Sequence, residues 1–102
     1  MPSVEQARAR LHAEISIAQQ GGVKFLKIVH GYGSSGIGGD LRIALQATLR
    51  QMVAKKEIRD CIYGESWRTS DERTWELLKH QPELKTDSDL GKGNKGITLV
   101  LL

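Results

Sequence analysis

The chain has 102 residues, enough for one domain with a single modest core. Fifteen Lys and Arg against 12 Asp and Glu leave a net charge of +3, a mildly basic balance that suits a polyanionic partner without requiring one. The single cysteine excludes an internal disulfide, and no apolar run approaches the length that spans a bilayer, so no membrane partner and a cytoplasmic setting are expected.

In chain order, Met1-Pro-Ser-Val-Glu5 lacks the charged-then-apolar layout of a secretory leader. Ser3 offers a side-chain N-cap, and Gln6 three residues later completes a capping box, which predicts a helix start. Val4, Ala7, Leu11, Ile15 and Ala18 repeat at three- and four-residue spacing as one apolar stripe, and Gly21 and Gly22 end the helix. Phe25 to Val29 is short, apolar and bounded by glycine, as a buried strand would be. His30 follows, and five glycines fall between positions 31 and 39.

A second helix is expected from Asp40, with Leu41, Leu45, Thr48 or Leu49, and Met52 facing the core. Arg42, Gln46 and Arg50 recur every four residues on another face, which is either solvated helix surface or a basic edge following a phosphate backbone. Ile58 to Tyr63 alternates as a strand, with Ile58, Asp60 and Ile62 on one side and Arg59, Cys61 and Tyr63 on the other. Cys61 in such a run is a small core residue. A strand, helix and strand of these lengths predict a right-handed parallel crossover, hence an α/β fold.

Thr69 to Glu72 forms a second capping box, placing a short helix over residues 70–80 that Pro82 ends. Lys85 to Lys95 is polar and glycine-rich; its Asp87 and Asp89 suit turn chemistry, or a hard cation in a loop. Ile97 to Leu102 is apolar at nearly every position, which marks a strand buried on both faces or central in its sheet.

The chemistry concentrates around residues 25–40. A strand that runs into a glycine loop and then a helix brings unpaired amide N–H groups and a positive dipole end close to a bound anion. Gly31, Gly33 and Gly36 spell G-x-G-x-x-G, with Glu65 in the place of a ribose-binding acid. Three strands, however, are too few for the two halves of a dinucleotide fold. No Lys-Ser or Lys-Thr follows the glycines, which excludes a P-loop. His12, His30 and His80 have no metal-ligand spacing, so no cofactor is expected and a divalent metal is left open. Nothing selects Ser34 or Ser35 as a nucleophile beside His30. His30 itself closes a strand where α/β sheets place their ligands. It can donate to phosphate or move a proton near neutral pH; equally, it can hydrogen-bond the loop backbone and hold its shape.

His30-Gly31-Tyr32-Gly33, entered from an apolar strand and followed by Gly39-Asp40-Leu41-Arg42, resembles the H-G-x-G motif of the Smr (small MutS-related) domain family. Gly93 to Leu102 is similar to the family's closing turn and strand, and the helix from Ser3 is similar to its first helix. The resemblance implies an α/β two-layer sandwich, a small mixed sheet with helices, similar to the C-terminal domain of translation initiation factor three. It also implies nucleic-acid binding, with DNA nicking or RNA cleavage in some members.

Two departures stand out. The family's opening L-D-x-H-G strand is absent from this sequence, so His30 has no evident acidic partner. The segment at about 64–90, with Trp67 and Trp75, is atypical and either packs the core or stacks on a base.

The expectation is therefore one Smr-like domain over 1–102. DNA or RNA would contact His30, Gly31, Tyr32, Gly33, Ser34, Ser35, Arg42, Arg50, Lys92 and Lys95, with His30 as the candidate catalytic group. A nucleotide or small phosphate ligand and a protein-interaction module are the alternatives. A homodimer through an exposed sheet edge is also expected.

Overall fold

The most uniformly apolar stretch becomes the centre of the sheet. In the computed structural model, which describes residues 3–31 and 37–102, the elements are α1 (Val4–Gln20), β1 (Phe25–Val29), α2 (Ile37–Ala54), β2 (Asp60–Tyr63), α3 (Glu72–His80) and β3 (Ile97–Leu101). Short 3₁₀ turns occupy Gly64–Ser66 and Pro82–Thr86. The strand order is β1-β3-β2, and β3 pairs antiparallel with both neighbours.

β1 and β2 thus run in the same direction, as a β–α–β unit predicts, but they do not pair. β3 lies between them, and its hydrogen bonds replace the expected parallel ladder. Ile97 through Val100 are buried because this strand has neighbours at both edges and cover on both faces.

The register sorts the side chains. Leu26, Ile28, Cys61, Tyr63, Thr98 and Val100 share one face, since Leu26 and Cys61 pair with Val100 while Ile28 and Tyr63 pair with Thr98. Leu11 and Ile15 of α1 and Leu45, Leu49 and Met52 of α2 pack against this face, completing an α/β sandwich. Ile58 joins the same cluster, because β2 starts only at Asp60 and the predicted alternation does not extend back to it. Cys61 is buried there, as expected.

The opposite face is covered by the segment between β2 and β3. Trp67, Leu77, Leu78 and Leu84 pack on Ile62, Ile97 and Leu99. Trp67 is 0% exposed, so it belongs to the core, whereas Trp75 is 48% exposed and does not.

Local signals set most boundaries. Ser3 and Gln6 form the capping box that opens α1. α2 begins at Ile37, three residues before the predicted start, leaving Asp40 as a first-turn anion rather than a cap. α3 is capped by Asp71, whose carboxylate accepts from the Thr74 amide; the Thr69 capping box does not form. Asp71 and Thr69 are both competent caps, and the cap falls two residues later than predicted.

Asp87 performs the expected turn role, its carboxylate accepting from the Asp89 amide at 3.1 Å, and the pair does more. Their carboxylates sit 2.7 and 2.6 Å from Lys27 Nζ in β1. Trp67 Nε1 donates to Asp87 at 2.9 Å, and Asn94 donates to Asp89 at 3.0 Å. This clip fastens the covering segment to the sheet.

Burial works against ionisation of Asp87, but hydrogen bonds from Lys27 and Trp67 outweigh it and hold the carboxyl below its ordinary value of 3.8. Asp89 is held below 3.8 chiefly by Asn94, then by Lys27. Burial opposes the charge on Lys27, yet its two carboxylate partners raise its pKa above 10.5.

Depressed carboxyl values give stability that is present above the ordinary carboxyl range and lost as pH falls through it. The raised lysine gives stability that is present below 10.5 and is lost as pH rises above it. Thermal unfolding followed by circular dichroism should therefore show a midpoint that drops as pH falls through 3.8. Asp89→Asn should lower the neutral-pH midpoint and flatten that acid branch. A parallel acid branch in the variant would remove Asp89 from the clip.

Candidate functional site

His30 leaves β1 at its carboxyl end, beside the start of β3 and the end of β2. Its backbone amide and that of Gly31 both donate to the Gly96 carbonyl at 3.0 Å, which joins the glycine loop to the turn before β3. Gly31 has φ +71°, a left-handed conformation that a side chain would strain. The motif glycine at this position is thus a backbone requirement.

The imidazole is held at both nitrogens. Nδ1 lies on the Gly31 carbonyl, which can only accept, so Nδ1 carries the proton. Nε2 is therefore the acceptor, 2.9 Å from Thr98 Oγ1. Gln46 Nε2 donates to the same hydroxyl oxygen at 3.2 Å. A directed chain results: Gln46 amide to Thr98 hydroxyl, Thr98 hydroxyl to His30, His30 to Gly31.

Burial first, and the Arg42 charge with it, push the His30 pKa below 6.5, against the opposing effects of the Gly31 hydrogen bond and of Glu65. The neutral ring is the form that this chain of hydrogen bonds requires. In that state His30 holds the Gly31 backbone, and Nε2 is free to take a proton only after Thr98 lets go.

Two of the predicted cations reach this place. Arg42 and Arg50 project from α2, Arg42 close enough to bear on the charge of His30, and Arg50 with its guanidinium 5.9 Å from the centre of the Tyr63 ring. Gln46, between them in sequence, is buried rather than part of a solvated stripe. Lys92 and Lys95 are exposed on the 91–96 turn, whose Gly96 receives His30 and Gly31. Tyr32, Gly33, Ser34 and Ser35 lie outside the described residues.

Three residues of the site are not among the contacts expected from the sequence: Tyr63, Glu65 and Thr98. Glu65 acts on the charge of His30 and of Tyr63, so an acidic group does stand near the histidine, supplied from the turn after β2. Thr98 is hidden inside an apolar strand. Its one usable signal is that it is a lone hydroxyl in the run Ile97-Thr-Leu-Val-Leu101. Among the described residues, no three His, Cys, Asp or Glu side chains come together as a metal-holding group, and no helix is long and apolar enough to cross a membrane.

The turn that carries Glu65 is fixed by close backbone packing. A Cβ on Gly64 would lie 1.7 Å from the Asn94 carbonyl oxygen and 2.9 Å from that of Ile97. Neither atom is a side chain that can swing away, so the contact needs glycine. Gly64→Ala should destabilise the protein by about 3 kcal/mol, the upper range for overpacking, as measured by urea unfolding. A loss below about 0.5 kcal/mol would show that the turn gives way freely.

A family model described as Smr domain matches residues 2–67. The matched stretch runs from α1 through β2 and ends at Trp67, so it contains His30, Arg42, Arg50, Tyr63 and Glu65 but not β3 with Thr98. No curated protein and no solved structure matches the chain.

Proposed function

The chain belongs to the Smr domain family, and from that premise we propose that it binds nucleic acid through the surface around His30, Arg42 and Arg50. The observation that carries the proposal is the convergence of the backbone-pinned His30 and Gly31 with two α2 arginines at the carboxyl ends of β1 and β2. Arginine and loop amides are the donors that phosphate oxygens accept from, and the exposed Lys92 and Lys95 extend the positive surface.

We read residues 1–102 as one domain with the 64–90 segment as its atypical insertion, because among the described residues the strands of the matched region are joined only through β3. His30 is placed as a loop-holding and binding group, since both its ring nitrogens are engaged in the neutral state. Nicking or cleavage of the bound strand, an activity the family allows, requires Nε2 to be released from Thr98.

Fluorescence anisotropy with labelled single- and double-stranded DNA and RNA tests the binding. Affinity should fall steeply with salt, and Arg42→Ala or Arg50→Ala should each reduce the log–log salt slope by about 1. Absence of binding to all four at low salt overturns the proposal. Should supercoiled plasmid be nicked, persistence of nicking in His30→Ala would exclude His30 from that chemistry.

The free edge of β1 supports the expected homodimer. Among the described residues β1 pairs only with β3, and Val29 at its end is 76% exposed. Light scattering should find a dimer that Val29→Lys weakens; a monomer throughout the micromolar range rejects it.

A further inference from the structure

Three buried polar atoms around His30 have no hydrogen-bond partner among the described residues: Arg42 Nε, Tyr63 OH and Glu65 Oε2. They come from α2, from the end of β2 and from the turn beyond it. Arg42 and Glu65 both act on the charge of His30, Glu65 also acts on Tyr63, and Tyr63 pairs in register with Thr98, the hydroxyl that holds His30. They therefore belong to one cluster. Buried donors and acceptors are normally satisfied, because each has given up its water. Three unsatisfied ones together point to a ligand that satisfies them.

Their chemistry restricts what that ligand is. The Arg42 N–H and the Tyr63 hydroxyl can donate to phosphate oxygens, but the Glu65 carboxylate can only accept. The sugar–phosphate backbone of DNA offers acceptors alone, so it satisfies the first two and leaves Glu65 both unpaired and facing negative charge. A ribose carries a 2′-hydroxyl donor close to each phosphate.

We infer that the cluster selects ribose over deoxyribose, with Glu65 accepting from a 2′-hydroxyl while Arg42 and Tyr63 donate to the neighbouring phosphate. The inference rests on the nucleic-acid binding proposed above and specifies RNA as the strand the site prefers.

The test uses one mixed sequence prepared as labelled single-stranded RNA, DNA and 2′-O-methyl RNA, with binding to the full chain read by fluorescence anisotropy. RNA should bind about tenfold more tightly than DNA, the worth of one hydrogen bond to a charged group. The 2′-O-methyl strand keeps the ribose shape but has no donor, and should fall to the DNA level. Glu65→Ala should bring the RNA-to-DNA affinity ratio close to one, whichever way the absolute affinities move. Glu65→Gln, which keeps an acceptor, should retain part of the preference.

Equal binding of RNA and DNA overturns the inference while leaving the phosphate-binding surface in place. Binding of 2′-O-methyl RNA as tight as RNA, or an unchanged ratio in Glu65→Ala, overturns it as well. If none of the three strands binds, the nucleic-acid proposal itself falls. The three wild-type measurements decide the matter even if a Glu65 variant fails to fold.

Discussion

Thr98 is a hydroxyl buried in the middle of the central strand, and the geometry of the site depends on it. It accepts from Gln46 and donates to His30, so one atom joins α2, β3 and the end of β1. A hydroxyl in a strand otherwise made of Ile, Leu and Val would be costly without partners. The Gly31 carbonyl fixes the Nδ1 proton of His30, and the Thr98 hydroxyl, already accepting from Gln46, donates to the Nε2 left over.

The second constraint is cover. A three-stranded sheet has two apolar faces, and α1 and α2 can bury only one of them. The segment after β2 takes the other, with Trp67 at its centre and the Lys27, Asp87 and Asp89 clip holding it down. Because Gly64 and Glu65 lie at the start of this segment, covering the sheet and furnishing the acidic side of the site are one event in the fold. The turn before β3 is locked between Gly64 and the His30–Gly31 backbone, so the site's three loops share their supports.

His30 shows how far tertiary structure shifts the meaning of a motif residue. In the sequence it could be a proton carrier or a loop support, with an ordinary titration near neutral pH. In the fold, burial and Arg42 favour the neutral ring, and both nitrogens are occupied. Support of the Gly31 backbone then follows from geometry. An acidic neighbour reaches it from Glu65, 35 positions later.

Much of the fold is legible in the amino-acid sequence alone. The α1 capping box rests on contacts within a few residues, and the α1 and α2 core stripes and the apolar β1 and β3 runs show in local spacing and composition, so the sequence records them. The family follows from the same local order and is borne out by the matched family model. Pairing over distance is what the sequence leaves undecided: that β3 inserts between β1 and β2, that Gln46 turns inward to a threonine 52 residues away, and that Asp87 and Asp89 close on Lys27. Local periodicity says which face of an element is apolar. Which partner that face meets, and which polar atoms are stranded or satisfied in the process, is decided only when the layers close.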